Sequence, residues 1–322
     1  MTLRRRTVLS LLAGAAAGPR SAFADTFPSR PIHLVVGFTP GAASDIIGRL
    51  FAQGAAPLVG QEIVVENKPG AGSLIAAQYV AHAVKDGYTL FLPALSTLTN
   101  VIINPSATVD IGRDFAPIAL LAVGTVVLVV NPASNVHSVA ELVALAKAKP
   151  GQVLYGSTGL GSLPQLAAEM FAQRAGVKLT HVPYPGSPQI AQDLLAGRIT
   201  MSFTIASSVI GQIAAGQIIA LATAATKRPA ALPNVPTMAE AGMPDFDTGL
   251  WLGLAAPAGA PRSAIEKIAA VASKAMHTPQ TVESLRKQGY DPLEAGPDAF
   301  AEFLRKENTR WTAVARAAGM KS

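Results

Sequence analysis

Short apolar runs rich in β-branched residues alternate with segments of helical period along most of this 322-residue chain. A strand that is apolar on both faces must be covered on both, and helices between strands do the covering. The alternation therefore predicts an α/β fold with largely parallel sheets. Strands are expected at residues 32–37, 63–66, 89–92, 116–121, 126–131, 153–155, 179–182, 201–203 and 220–222. Helices are expected at 43–57, 73–84, 139–148, 163–175, 188–196 and 208–215, and in the last third at 262–276, 280–288 and 297–318. Glycines at 60, 176, 197 and 216 stand where helices end and a left-handed residue is wanted. Ser162-Leu163-Pro164-Gln165 reads as a capping box with proline in the first turn. In the last helix Phe300, Phe303, Leu304, Trp311, Val314 and Ala318 fall on one face.

The block from 126 to 222 has the pattern of a complete α/β unit, set inside a second unit made of 25–125 and 223–322. A unit inserted into another and joined to it by two strands makes two lobes with a cleft at the hinge.

Ahead of the first strand, Arg4, Arg5 and Arg6 precede a moderately apolar segment from 8 to 17, and Ala22 and Ala24 suit a signal peptidase. Cleavage before Asp25 and export are the expectation. The apolar segment is too short to span a bilayer. Arg5-Arg6-Thr7-Val8-Leu9, with Arg20 ahead of the cleavage site, reads as a twin-arginine signal. An ordinary secretory signal is the alternative.

The formal charge of +6 overstates the exported chain. Four of the 26 Lys and Arg residues precede Asp25, leaving 22 against 20 acidic residues, a net charge of +2. No basic or aromatic-interleaved run remains to bind nucleic acid. Hydrophobic residues make up 50% of the chain and charged ones 14%, enough for a large core. The absence of cysteine excludes disulfides, thiolate nucleophiles and cysteine metal sites. The five histidines have no metal-ligand spacing, no Gly-x-Ser-x-Gly elbow surrounds a serine, and Gly159-Leu160-Gly161 lacks the third glycine of a dinucleotide fingerprint. Catalysis, metal and cofactor are not called for.

Two strand–turn–helix junctions could recognise an anion. Phe38-Thr39-Pro40-Gly41-Ala42-Ala43-Ser44-Asp45 lies in the outer unit and Gly156-Ser157-Thr158-Gly159-Leu160-Gly161-Ser162 in the inner one. Small residues there leave backbone N–H groups open at a helix N-terminus, where the dipole also favours negative charge. Either loop alone could equally be a tight turn. His181-Val182-Pro183-Tyr184-Pro185-Gly186-Ser187 is a third strand end leading to a helix, and Ser96-Thr97 follows a fourth strand. Tyr184 could line a cleft or simply pack under its proline turn.

Ordered motifs over the mature chain add a resemblance. Phe27-Pro28-Ser29-Arg30-Pro31-Ile32 is followed by Val64-Val65-Glu66-Asn67-Lys68-Pro69-Gly70-Ala71-Gly72 and Asp86-Gly87-Tyr88-Thr89-Leu90. Then come Asp114-Phe115-Ala116-Pro117, His181-Val182-Pro183-Tyr184, Leu232-Pro233-Asn234-Val235-Pro236-Thr237 and Glu240-Ala241-Gly242. In this order they resemble the Bug family, the TctC-like extracytoplasmic receptors of tripartite tricarboxylate transporters. The resemblance implies a two-lobed, hinge-closing periplasmic-binding-protein fold, of the type II-like Venus flytrap kind, with a discontinuous first domain and no catalysis. It implies a small organic carboxylate as ligand, dicarboxylate or aromatic, and a membrane permease pair as partner. By the same resemblance residues 38–44 and 156–162 grip the carboxylate, and Ser96, Thr97, Tyr184, Gly186 and Ser187 line the pocket.

This chain departs from the family pattern in three places. Gly37-Phe38-Thr39-Pro40-Gly41-Ala42 stands for the usual P-F-x-P-G-G, Tyr184-Pro185-Gly186 for Tyr-Lys-Gly, and Ser202-Phe203-Thr204 occupies a stretch where many relatives carry Asp. An uncharged Thr204 and Ile205 suit an apolar or aromatic distal end and argue against amino-acid ligands. The resulting expectation is a monomeric periplasmic receptor for a small carboxylate, in which Phe38 walls the pocket and Trp251 packs under the hinge. Backbone amides of 39–44 and 158–162, with the hydroxyls of Ser157, Thr158 and Ser187, carry recognition. A ligand sensor using the same pocket is the alternative, and an exported enzyme a remote third.

Overall fold

A computed structural model describes residues 27–320 except Pro185, Asp247 and Gln288; the leader and its cleavage site lie outside the described residues. The chain opens with β1 (Ile32–Val36), whose residues are buried apart from the half-buried His33. It pairs in parallel with β2 (Ile63–Asn67) on one side and β3 (Thr89–Leu92) on the other. Between β1 and β2 runs α1 (Ala43–Val59), which buries Ile47, Phe51, Ala55 and Val59 at helical spacing and ends on left-handed Gly60. After α2 (Leu74–Ala81) and β3 comes α3 (Leu95–Ile103), and then β4 (Phe115–Gly124).

From β4 the chain enters a second sheet through Thr125 alone. There β5 (Val126–Val130), α4 (Val139–Ala148), β6 (Leu154–Ser157), α5 (Leu163–Ala175), β7 (Thr180–Pro183), α6 (Ser187–Leu195), β8 (Met201–Ile205), α7 (Ile210–Ala214) and β9 (Ile219–Thr223) follow. After β9 the chain returns to the first sheet as β10 (Leu250–Pro257), α8 (Arg262–Met276), α9 (Pro279–Lys287), β11 (Tyr290–Ala295) and α10 (Pro297–Ala317). The first sheet has the order β11-β4-β10-β3-β1-β2 and the second β7-β6-β8-β5-β9.

Both sheets are mixed, which corrects the simpler parallel expectation. β1, β2 and β3 are parallel, as are β6, β7 and β8. The strands next to the crossings, β4, β5, β9, β10 and β11, make antiparallel pairs. A chain that leaves a sheet and comes back from the other lobe must re-enter running the opposite way.

Three elements were absent from the sequence reading. α3 is built from Leu95-Ser96-Thr97-Leu98-Thr99-Asn100-Val101-Ile102-Ile103, whose β-branched content disguises a helix. Thr97 Oγ1 starts it by accepting the Ala94 N–H at 3.3 Å. β10 is a wholly apolar run behind Gly249, and β11 carries Pro292, which only an edge strand tolerates.

One face of the first sheet packs on α1 and α8 through Leu34, Val36, Phe51, Leu92, Leu254 and Ile268. The opposite face forms a core that continues into the second sheet, joining Phe91 and Phe115 to Phe171, Phe203, Trp251 and Trp311. Trp251 and Trp311 both donate their indole N–H to buried Glu307, at 3.0 and 2.9 Å. Trp251 therefore packs inside the molecule, 1% exposed. Thr125 is held from both lobes, its N–H on Gly289 O at 3.1 Å and its carbonyl on Ala206 N–H at 2.9 Å. Among the described residues no helix is long and apolar enough to cross a membrane.

Candidate functional site

A cavity of about 270 Å3 lies where the two sheets face each other. Parallel strands end on the same side of a sheet, and the loops after them open the crevice in which α/β folds bind ligands. Five such ends meet here. The turn from β1 to α1 brings Phe38, Ala42, Ala43 and Ser44, and the turn from β3 to α3 brings Ala94 and Ser96. From the second sheet, the turn from β6 to α5 brings Thr158, Ser162, Leu163 and Pro164, that from β7 to α6 brings Ser187, and β8 brings Phe203, Thr204 and Ile205. Val126, Leu250, Leu252 and Tyr290 complete the lining from the strands at the hinge.

None of these residues is acidic or basic. What the cavity offers an anion is the start of four helices. α1, α5 and α6 have no side-chain cap, with Ala42, Ser162 and Gly186 at their N-cap positions. First-turn N–H groups lack intrahelical partners, so an uncapped start leaves them for solvent or ligand. Pro164 and Pro188 each remove one such donor. The hydroxyls of Ser44, Ser96, Thr158 and Ser187 stand beside these helix starts.

The first loop is braced from below. Asn67 Nδ2, at the end of β2, donates to Phe38 O at 2.9 Å and to Asp45 Oδ1 at 2.8 Å. Asp45 Oδ2 accepts from Gly41 N–H at 2.9 Å and Arg49 Nε at 3.0 Å. Burial pushes the Asp45 carboxyl up, but the bonds from Arg49, Gly41 and Asn67 together outweigh it and hold the group below the usual carboxylate range. Arg49 thus neutralises Asp45, leaving the open end of α1 to an outside anion. Glycine is required at 37, since a Cβ there would lie 1.8 Å from Ser73 Oγ.

The second loop is braced by His181. Its Nε2 lies 2.6 Å from Ser157 Oγ, and the ring stacks on Tyr155 with centroids 5.0 Å apart. Burial lowers the His181 pKa against the pull of Glu169, so the ring is neutral at pH 7. Gly161 takes φ +71°, a conformation that strains any side chain, and Ile103 Cδ1 would lie 2.2 Å from a Cβ there. Its carbonyl accepts the Thr99 hydroxyl at 2.9 Å, a direct bond from α3 of one lobe to the loop of the other. The expected capping box does not form. Ser162 Oγ donates back to Gly159 O at 2.7 Å, and Gln165 Oε1 accepts from Gly161 N–H at 2.8 Å, one residue before the position a box requires.

Of the residues singled out from sequence, the cavity brings together Phe38, Ala42, Ala43, Ser44, Ser96, Thr158, Ser162, Ser187, Thr204 and Ile205. Thr39, Pro40 and Gly41 lie on the exposed outside of the first loop. Thr97 and Ser157 are fully buried, the one starting α3 and the other bonded to His181. Gly159 and Gly161 shape the second loop, and Gly186 precedes α6, without reaching the lining. Tyr184 turns away to donate to Asp193 at 2.8 Å, with its pKa pushed up to about 12 by burial and that carboxylate. The sequence reading missed Ala94, Val126, Leu163, Pro164, Phe203, Leu250, Leu252 and Tyr290. The apolar run of β10 was the available signal for Leu250 and Leu252. Tyr290 had none, because Pro292 hides its strand.

The model of the family described as "Tripartite tricarboxylate transporter family receptor" matches residues 47–320. The chain is 37% identical over 310 residues, 96% of its length and 92% of the relative's, to a UPF0065 protein in the tcbD-tcbE intergenic region of Pseudomonas sp. strain P51. Among solved structures, R. palustris Rpa4515 with adipate shares 33% identity at a TM-score of 0.76, covering 91% of this chain and 98% of that one. MatC of Rhodopseudomonas palustris, with bound malate, shares 30% identity at a TM-score of 0.73, covering 89% and 99%. The periplasmic binding protein BugD is similar at 28% identity and a TM-score of 0.73, over 92% and 99%. The architecture described above is the two-lobed α/β fold of these periplasmic binding proteins.

Proposed function

The chain belongs to the tripartite tricarboxylate transporter receptor family, a family of receptors and not of enzymes, and on that premise we propose that it captures a small organic carboxylate between its lobes. In this reading it is exported to the periplasm, cleaved before Asp25, and works as a monomer that delivers its ligand to the membrane permease pair of a tripartite tricarboxylate-type transporter. Residues 25–125 with 223–322 act as one domain and 126–222 as the other, closing about Thr125 and the return after β9.

The observation that carries the reading is the cavity itself. It lies at strand C-terminal ends, is walled by apolar side chains and contains no charge, while uncapped helix starts converge on it. Such a site favours an anion with an apolar body, because each helix start carries partial positive charge without a mobile counter-ion. The first loop, held by Asn67 and Asp45, presents one helix start, and the second, held by His181, presents another across the cavity. Related structures hold adipate and malate, which fits a carboxylate ligand for this chain.

A thermal-shift panel of aliphatic and aromatic mono-, di- and tricarboxylates, each beside its neutral amide, tests the proposal. A ligand at 100 times its Kd stabilises the fold by about 2.7 kcal/mol. At least one acid should raise the melting temperature while its amide does not. Equal shifts from acid and amide, or none from any acid after the protein has been unfolded, dialysed and refolded, would contradict it.

A further inference from the structure

The hinge end of the cavity differs in chemistry from the helix starts. Val126 pairs with Ile205 across β5 and β8, and Gly124 pairs with Leu250 on one side and Tyr290 on the other. These strands form an apolar floor. The Tyr290 ring lies over Gly124, where a Cβ would come within 2.8 Å of Cε1. Gly289 just before it sits against Ser207 of the second lobe, which places Tyr290 at the junction of the two.

Tyr290 is 2% exposed, lines the cavity, and its hydroxyl makes no hydrogen bond to any described residue. The hydroxyl atom is not buried as Ser73 Oγ and Thr248 Oγ1 are, so on a residue otherwise enclosed it opens onto the cavity and can meet a ligand there. The other floor hydroxyl, on Thr204, is already 3.1 Å from Ser208 Oγ. A single donor is therefore waiting in an apolar surround.

We propose that Tyr290 is a specificity-determining residue whose hydroxyl donates to a neutral acceptor at the far end of the ligand. The ligand is then a monocarboxylate with an apolar body and one distal hydroxyl, ketone, ether or ester oxygen. This rests on the carboxylate-receptor reading and narrows it. A second carboxylate at the floor would be buried against Val126, Ile205 and Leu250 with one hydroxyl for company, and burying a charge so poorly paired is strongly unfavourable. A neutral oxygen needs only the one donor. A site that offers a buried donor also discriminates against ligands that leave it unmet. Burial keeps the phenol protonated, its pKa raised well above the ordinary tyrosine value.

Calorimetric titration with two matched series tests this: hexanoate, 6-hydroxyhexanoate and adipate, and benzoate, 4-hydroxybenzoate and terephthalate. In at least one series the hydroxy acid should bind about tenfold more tightly than the other two members. Y290F should remove most of that advantage. Unliganded Y290F should melt within a few degrees of wild type, since it loses a hydroxyl that faces the cavity and no bond to the protein. A diacid as the tightest member, an equal loss for every acid in Y290F, or a melting temperature of unliganded Y290F many degrees below wild type would each overturn the role of Tyr290 while leaving the carboxylate reading standing. Failure of all six acids to bind the folded wild-type protein would overturn both.

Discussion

At position 73 a serine holds backbone space usually left to glycine. Its φ is +78°, and its hydroxyl is buried without a partner, pressed against Gly37 at the root of the loop between β1 and α1. A non-glycine residue in this region costs about 1–3 kcal/mol, and the unpaired hydroxyl adds to that. Ser73→Gly removes both, against the extra freedom that glycine gives the unfolded chain, about 1 kcal/mol. The variant should be more stable by about 1 kcal/mol, read as a higher urea midpoint at unchanged slope; a lower midpoint would contradict this. From the sequence, the Ser157 hydroxyl is expected to help hold the ligand and Tyr184 to line the pocket. Their partners, His181 and Asp193, are assigned by folding, and both pairings take a candidate away from the cavity. Thr158, next to Ser157, and Ser187, three residues after Tyr184, are left to face it.

The junction between β1 and α1 depends on Asp45 as an element, since its carboxylate ties the loop to the helix and to β2. The folded pKa of Asp45 lies below its unfolded value. Its contribution is therefore complete above about pH 4 and is lost as pH falls through the lowered folded value. Asp45→Asn should be about 1–2 kcal/mol less stable than wild type at pH 6, and the gap should shrink towards pH 3. Denaturant unfolding at the two pH values measures it, and a gap that does not change with pH would contradict the account. At this scale the sequence was most readable where the period was long. α1, α4, α5, α8 and α10 lie within two residues of their expected limits at either end. It was least readable in β-branched α3 and proline-bearing β11, where packing against α10 and an edge position override local preference.

For the whole molecule, the cavity is a consequence of topology. Two sheets, each presenting parallel strand ends and helix starts, are joined through Thr125 and the return after β9, so these ends face one another. The alternating pattern, the inserted block and the two small-residue loops made this arrangement legible in outline. The apolar floor was not legible, because β10 and β11 reach it only by coming back across the hinge. Trp251 and Trp311, joined through Glu307, tie α10 beneath β10 and support that floor from the outside. In the function proposed above, helix starts without side-chain caps hold the carboxylate. Ala43 is exposed, begins α1 and lines the cavity, and an aspartate in a first turn suits a helix. Ala43→Asp should therefore keep the wild-type fold while filling the anion position with its own charge. The deciding measurement is a calorimetric titration of wild type and Ala43→Asp with the acid that stabilises wild type most in the thermal panel. Affinity should fall at least a hundredfold with a melting temperature within a few degrees of wild type; unchanged affinity in the folded variant would place the anion elsewhere and contradict binding at the start of α1.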